Sequence, residues 1–233
     1  MMSNITIYED LKKIDYKEAW EYQETLFKSL VDLKLFNRET PSAAKEVISR
    51  LLFCEHNHVY TLGKSGVQNN LLINEAFLKS INATFYKIDR GGDITYHGDG
   101  QITGYPIFDI EAMNLSIKEY IHNLEEAIIL TIADYGIKGD RLEGSTGVWL
   151  DVNGANTRKI CAIGVKASRG ISMHGFALNV NTNLSYFNHI NPCGFVDKGV
   201  TSMQKELGLE QDFEAVKLNL KEKLRTVFKL SYI

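Results

Sequence analysis

With three prolines and three cysteines in 233 residues, the chain has few backbone breaks and no disulfide framework. Three cysteines leave one over from any pairing, and their spacing is unlike that of a stapled secreted domain. No apolar run approaches the ~20 residues needed to span a bilayer. The first ten residues lack the basic region and apolar stretch of a signal peptide. A reducing, cytoplasmic setting is therefore expected, which suits a free thiol. Basic excess is also missing. The net charge of −3 argues against nonspecific nucleic-acid binding. Low-complexity stretches, internal repeats and obvious linkers are absent, so a single domain over residues 1–233 is expected. Hydrophobic residues at 44% and charged residues at 24% provide an ordinary globular core.

Charge is unevenly spread. Residues 158–169 hold Arg158, Lys159, Lys166 and Arg169 and no acidic residue. The run reads either as a solvated strand face or as a landing patch for an acidic partner.

Apolar residues at helical spacing predict a helix over 16–34, through Ala19, Leu26, Leu30 and Leu33. Ser116 and Glu119 have the spacing of a capping box, opening a helix that Tyr135-Gly136 would stop. A third helix, about 212–229, places Phe213, Val216, Leu220, Leu224 and Val227 on one face. Between them lie strand-like runs at 48–54, 84–89, 104–110, 146–151, 158–166 and 173–180. Asn153-Gly154 marks a hairpin between the runs at 146–151 and 158–166. Clustered strands with flanking helices predict an α+β fold, a mixed central β-sheet flanked by helices.

Two of the cysteines, Cys54 and Cys161, lie in apolar runs, where a thiol behaves as a small buried hydrophobe. Cys193 differs. It sits in Asn191-Pro192-Cys193-Gly194, a polar turn with little core to fill, which makes it a candidate nucleophile.

Three segments could serve such a nucleophile. Arg90-Gly91-Gly92-Asp93-Ile94-Thr95-Tyr96-His97-Gly98-Asp99-Gly100-Gln101 has four glycines in twelve residues. These permit tight turns and close approach to a ligand, and Arg90, Thr95, His97 and Gln101 add polar groups. The segment is neither a Walker loop nor a dinucleotide fingerprint, and a plain hairpin would also use its glycines. In Arg158-Lys159-Ile160-Cys161-Ala162-Ile163-Gly164-Val165, Lys159 opens an apolar strand and stands either at the edge of a dry pocket or as a snorkelling strand end. A regular strand would put Cys161 on the face of Lys159. The third segment, Met173–Asn181, begins with His174-Gly175 and alternates polar positions. His56 and His58 would share a strand face, but no further ligand at metal spacing completes a set.

Together these pieces resemble the octanoyl-(acyl-carrier-protein):protein N-octanoyltransferases, the lipoyl(octanoyl) transferases. The likeness rests on Arg90–Gln101, Arg158–Val165, His174–Asn179 and Asn191–Gly194, in that order, with 34 positions from Lys159 to Cys193. A weaker echo at Glu55–Gly63 extends it, so that it covers roughly residues 50–205. Asp99 stands where the family usually has proline, and Cys161 where it usually has alanine.

The resemblance implies the α/β fold of biotin and lipoate protein ligases and a cysteine–lysine dyad. Cys193 would accept the acyl group and Lys159 would be its charge partner. Residues Arg90, Gly91, Gly92, Asp93, Ile94, Thr95, Tyr96 and His97 would line the acyl pocket, with Ala162, Ile163, Gly164, Gly175, Phe176 and Ala177. It further implies an octanoyl-acyl carrier protein donor, with octanoyl on the carrier's phosphopantetheine, and no cofactor of the enzyme's own. The acceptors would be lipoyl domains of 2-oxoacid dehydrogenase E2 subunits and the glycine cleavage H protein.

Overall fold

The computed structural model describes residues 4–191 and 198–233. Its strands are Asn4–Ile14 (β1), Ser49–His56 (β2), Val59–Leu62 (β3), Thr84–Lys87 (β4), Ile94–His97 (β5) and Gln101–Ile107 (β6). They continue with Asp140–Leu142 (β7), Ser145–Leu150 (β8), Arg158–Ser168 (β9), Ile171–Asn179 (β10), Gly199–Val200 (β11) and Leu230–Tyr232 (β12). The helices are Tyr16–Glu39 (α1), Glu75–Ser80 (α2), Ile117–Ala133 (α3), Met203–Leu207 (α4) and Phe213–Phe228 (α5).

Among the described residues, nine strands form the main sheet, in the order β12-β1-β2-β6-β10-β9-β8-β7, with β11 paired to β9. β1 is parallel to β12 and β2, while β2, β6, β10, β9, β8 and β7 pair antiparallel in turn. A second sheet, β4-β3-β5, stands apart from it. This is the expected mixed sheet with flanking helices.

Side-chain alternation explains the layers. Along β2, Leu51 and Phe53 join the core cluster built with α3 and α5, whereas Leu52 and Cys54 join the cluster built with α1. Successive strand residues face opposite sides, so an apolar run must be covered twice. On α5, Val216, Leu220, Leu224 and Phe228 recur at helical spacing and are buried. The Ser116–Glu119 capping box closes at the start of α3, and Gly136 beyond its end adopts φ +81°.

Some boundaries differ from expectation. The first helix runs on to Glu39, and the run at 84–89 ends as a strand at Lys87. The run at 104–110 is a strand from Gln101 to Ile107. The hairpin between β8 and β9 forms as expected. Asp151 organises its loop, accepting from the backbone N–H of Asn156 at 3.0 Å while its own backbone sits at φ +54°.

One irregularity matters for the site. Val148 pairs with Cys161 and Trp149 with Lys159, so β9 carries one extra residue between them. Such a bulge reverses the face of the residues beyond it.

Candidate active site

A cavity of about 330 Å³ lies between the α1-side face of β6, β10 and β9 and the segment that carries β5. Arg90, Gly92, Asp93, Ile94, Thr95 and His97 line it from the glycine-rich segment. Ala162, Ile163 and Gly164 contribute from β9, and Gly175, Phe176 and Ala177 from β10. Two other residues singled out in the sequence lie elsewhere. The backbone N–H of Gly91 donates to the carbonyl of Val165 at 2.9 Å. Tyr96 is fully buried beneath the small sheet, stacked on Tyr186 and hydrogen-bonded to His58 at 2.8 Å. Strand alternation separates Tyr96 from its cavity-facing neighbours Thr95 and His97.

The glycine-rich segment is seated by close backbone approach. A Cβ on Gly164 would lie 2.7 Å from the carbonyl oxygen of Gly91 and 3.1 Å from Arg90 Cδ, so only glycine lets the strand and the segment meet. Arg90 is buried. Its guanidinium donates to the Thr61 carbonyl (2.7 Å), the Thr61 hydroxyl (3.0 Å) and the Gly91 carbonyl (2.9 Å), tying the segment to β3.

Lys159 stands at the opposite edge of the cavity. Its Nζ donates to the Thr146 carbonyl at 3.1 Å and lies 4.5 Å from the Trp149 ring centroid, an ammonium over an aromatic face. The bulge aligns it with Ala162 on the cavity side. Cys161 is therefore not on the face of Lys159, as a regular strand would place it. It is fully buried in the α3/α5 core, where burial pushes its thiol well above the usual range. Cys193, the candidate nucleophile, lies outside the described residues.

A relay of side chains fixes one imidazole. Asn179 Nδ2 donates to the carbonyl of Thr201 (3.0 Å), and Gln101 Nε2 donates to Asn179 Oδ1 (2.9 Å) and to the Tyr96 carbonyl (3.0 Å). The carbonyls can only accept, which leaves Gln101 Oε1 facing His97 Nδ1 at 2.8 Å. His97 must donate from Nδ1, so Nε2 is the acceptor nitrogen. Burial, with His56 and Arg90 nearby, lowers its pKa to about 3, keeping it neutral.

His174 follows another route. It is buried at φ +61°, and its Nε2 meets Asp89 at 3.0 Å. Asp89 also pairs with Lys166, and these two partners hold its carboxyl well below the usual range, the His174 hydrogen bond contributing most. Burial lowers the His174 pKa despite that carboxylate.

The basic run of 158–169 does not form one patch. Arg158 is engaged by Glu206 and Lys166 by Asp89, while Lys159 turns to the cavity. An extended strand spreads these residues over tens of ångströms. His56 and His58 also part company. His56 hydrogen-bonds the Ile14 carbonyl and Tyr105 on the α1 side, and His58 stacks on Tyr186. Asp99, at the loop's departure from the family pattern, is exposed and paired with Lys13.

Sequence reasoning did not single out Tyr16, Thr103, Tyr105 or Trp149, all of which line the cavity. They come from elements far apart in the chain, and nothing in their spacing announces the meeting. Among the described residues, no helix is long and apolar enough to cross a membrane.

The lipoyl protein ligase A/B catalytic domain family matches residues 15–225. An archaeal bipartite lipoate protein ligase from Thermoplasma acidophilum shares the fold, with TM-score 0.69 and 14% identity over 98% of this chain and 86% of that one. So does the biotin protein ligase of Aquifex aeolicus, with TM-score 0.53 and 11% identity over 97% and 70% of the two chains. An octanoyltransferase of Parabacteroides distasonis is 55% identical over 95% of this chain and 97% of its own. The chain belongs to the octanoyltransferases within the lipoyl protein ligase A/B catalytic family. It is an acyltransferase of octanoyl transfer in lipoate biosynthesis.

Proposed function

We propose that this chain moves octanoyl from the phosphopantetheine thioester of acyl carrier protein to the target lysine of a lipoyl domain, through a thioester on Cys193. The observation that carries the reading is Lys159 at the rim of a mostly buried cavity sized for a medium acyl chain. A cysteine thiol of ordinary pKa is only a few per cent thiolate at neutral pH, and an adjacent ammonium raises that fraction. Cys193 Sγ attacks the donor carbonyl, and the carrier's thiol leaves. The exchange of one thioester for another is nearly thermoneutral and needs no ATP. Lys159, left neutral once its ammonium has protonated the departing carrier thiolate, takes a proton from the acceptor lysine, which attacks acyl-Cys193 and releases the Cys193 sulfur as the amide forms. Backbone N–H groups of the glycine-rich segments hold the oxyanion.

Residues 90–97, 162–164 and 175–177 provide the acyl pocket in this account, with Gly91 and Tyr96 supporting its walls from behind. Burying six methylenes at ~0.8 kcal/mol each supplies on the order of 5 kcal/mol. The acceptors are lipoyl domains of 2-oxoacid dehydrogenase E2 subunits and the glycine cleavage H protein, and the enzyme holds no cofactor of its own. The fold's likeness to a ligase studied with its E2 lipoyl domain supports a lipoyl-domain acceptor. The test is transfer from octanoyl-carrier protein to an apo-lipoyl domain, without ATP, by wild type and Cys193→Ala. Transfer by the wild type alone is expected. Equal transfer by both would end the proposal.

A further inference from the structure

One buried carboxylate stands near Lys159 and has no part in the mechanism above. On α3, Leu124 and Ile128 pack into the apolar core, and Glu125 beside them is 7% exposed. A buried carboxylate is costly unless its oxygens find donors. Glu125 Oε1 accepts from the backbone N–H of Gly147 at 3.0 Å, and Oε2 from Arg141 Nε at 3.1 Å. Arg141 is shared, since its Nη2 donates to Glu126 at 2.6 Å and to the His122 carbonyl at 3.1 Å.

The Gly147 N–H belongs to the same peptide group as the Thr146 carbonyl, which receives Lys159 Nζ at 3.1 Å. In a trans peptide the C=O and N–H point to opposite sides. One peptide plane therefore carries the lysine ammonium at its oxygen and the glutamate carboxylate at its hydrogen. Its dipole lies in the favourable sense, negative end to the cation and positive end to the anion. A carboxylate at the N–H also polarises the amide and strengthens the carbonyl as an acceptor. Across two hydrogen bonds and the peptide, the two charges stand roughly 8 Å apart.

The path of Lys159 depends on that peptide. Gly147 adopts φ +123°, and Lys159 Cε and Cδ pass 3.4 and 3.5 Å from where a Cβ of residue 147 would lie. A peptide free to rotate here would carry the lysine's acceptor away. Glu125 fixes it from the α3 side of the sheet, while the cavity lies on the α1 side.

We infer that Glu125 is a positioning residue for octanoyl transfer: it fixes the Thr146–Gly147 peptide that receives Lys159 and, through that peptide, favours the lysine's ammonium form. The inference rests on the octanoyl-transfer reading above, in which the ammonium accompanies the Cys193 thiolate and protonates the departing carrier thiolate. Other groups face Lys159 as well. Arg90, Asp93 and Lys198 line the cavity with it. On its own strand, Arg158 is paired with Glu206, and the Cys161 thiol is buried. A change at position 125 leaves all of these in place.

The test is the pH profile of Cys193 octanoylation by octanoyl-acyl carrier protein, in wild type and Glu125→Gln. Glutamine still accepts from the Gly147 N–H but carries no charge. Loss of a negative charge at this distance disfavours an ammonium, so the alkaline limb of kcat/KM should move down by about 0.5–1 pH unit. The rate at the optimum should fall about threefold to tenfold, with KM for the carrier within about twofold of wild type. A slower variant whose alkaline limb has not moved would make Glu125 merely structural, and an unaltered profile would overturn the inference equally. Wild type decides the matter if the variant does not fold: the 13C resonances of the Thr146 carbonyl and the Glu125 carboxyl should both move with the alkaline limb. A Glu125 resonance that stays still through that limb overturns the coupling while octanoyl transfer stands. Failure of wild type to octanoylate Cys193 removes the underlying reading and the inference with it.

Discussion

The side chain of Lys159 lies across Gly147: a Cβ at position 147 would sit 3.4 Å from Lys159 Cε and 2.5 Å from the carbonyl oxygen of Cys161. Gly147 also adopts φ +123°, a conformation that side-chain-bearing residues rarely take. Gly147→Ala should destabilise the protein by about 1–3 kcal/mol and shift Lys159 from the cavity rim. Transfer should drop at least tenfold where the variant is still folded. Urea titration beside turnover checks both effects, and wild-type turnover would refute the placement.

Lys159→Met removes the ammonium and keeps much of the stem. Lys159 is only partly buried, so its melting temperature should stay within about 3 °C of wild type. Transfer should fall by at least a hundredfold, and alkylation of Cys193 at pH 7 should slow about tenfold. An unchanged alkylation rate would separate Lys159 from the thiol.

Acid should weaken the fold early. Burial holds His56 near pKa 4 and His97 near 3, and lowers His174, against an unfolded value of about 6.5. The unfolded chain then binds protons that the folded chain refuses. Stability is full above pH 6.5 and falls as pH drops toward the folded values, by up to about 1.4 kcal/mol per pH unit for each histidine. Urea midpoints between pH 7 and 5 should decline steeply. A flat profile would mean that these imidazoles are not held neutral.

Gln101→Leu should be worse than its size suggests. It strands His97 Nδ1–H and Asn179 Oδ1, both buried, so a loss of about 2–5 kcal/mol is expected. Gln101→Glu can still accept from His97 but meets Asn179 Oδ1 with another acceptor, and should also destabilise. Thermal melts of both variants decide it, and a wild-type melt for Gln101→Leu would contradict the relay.

Local signals were legible in the sequence wherever the structure is local. The Ser116–Glu119 box, the apolar stripe of α5 and the Asn153-Gly154 hairpin each depend on residues within a turn or two. β5 was hidden because Ile94–His97 is flanked by glycines, and its pairing with β3 is settled by residues more than thirty positions earlier. The β9 bulge reversed the expected relation of Lys159 and Cys161, since an extra residue shows only in the register with β8. Thr103 and Tyr16 gave no warning of the cavity, because topology alone brings β6 and the start of α1 beside β10.

The measurement that bears most directly on the account is the intact mass of the protein after incubation with octanoyl-acyl carrier protein and no ATP. One added octanoyl group, missing from Cys193→Ala and discharged by an apo-lipoyl domain, is the predicted result. No adduct, with transfer appearing only when ATP and free octanoate are supplied, would contradict it.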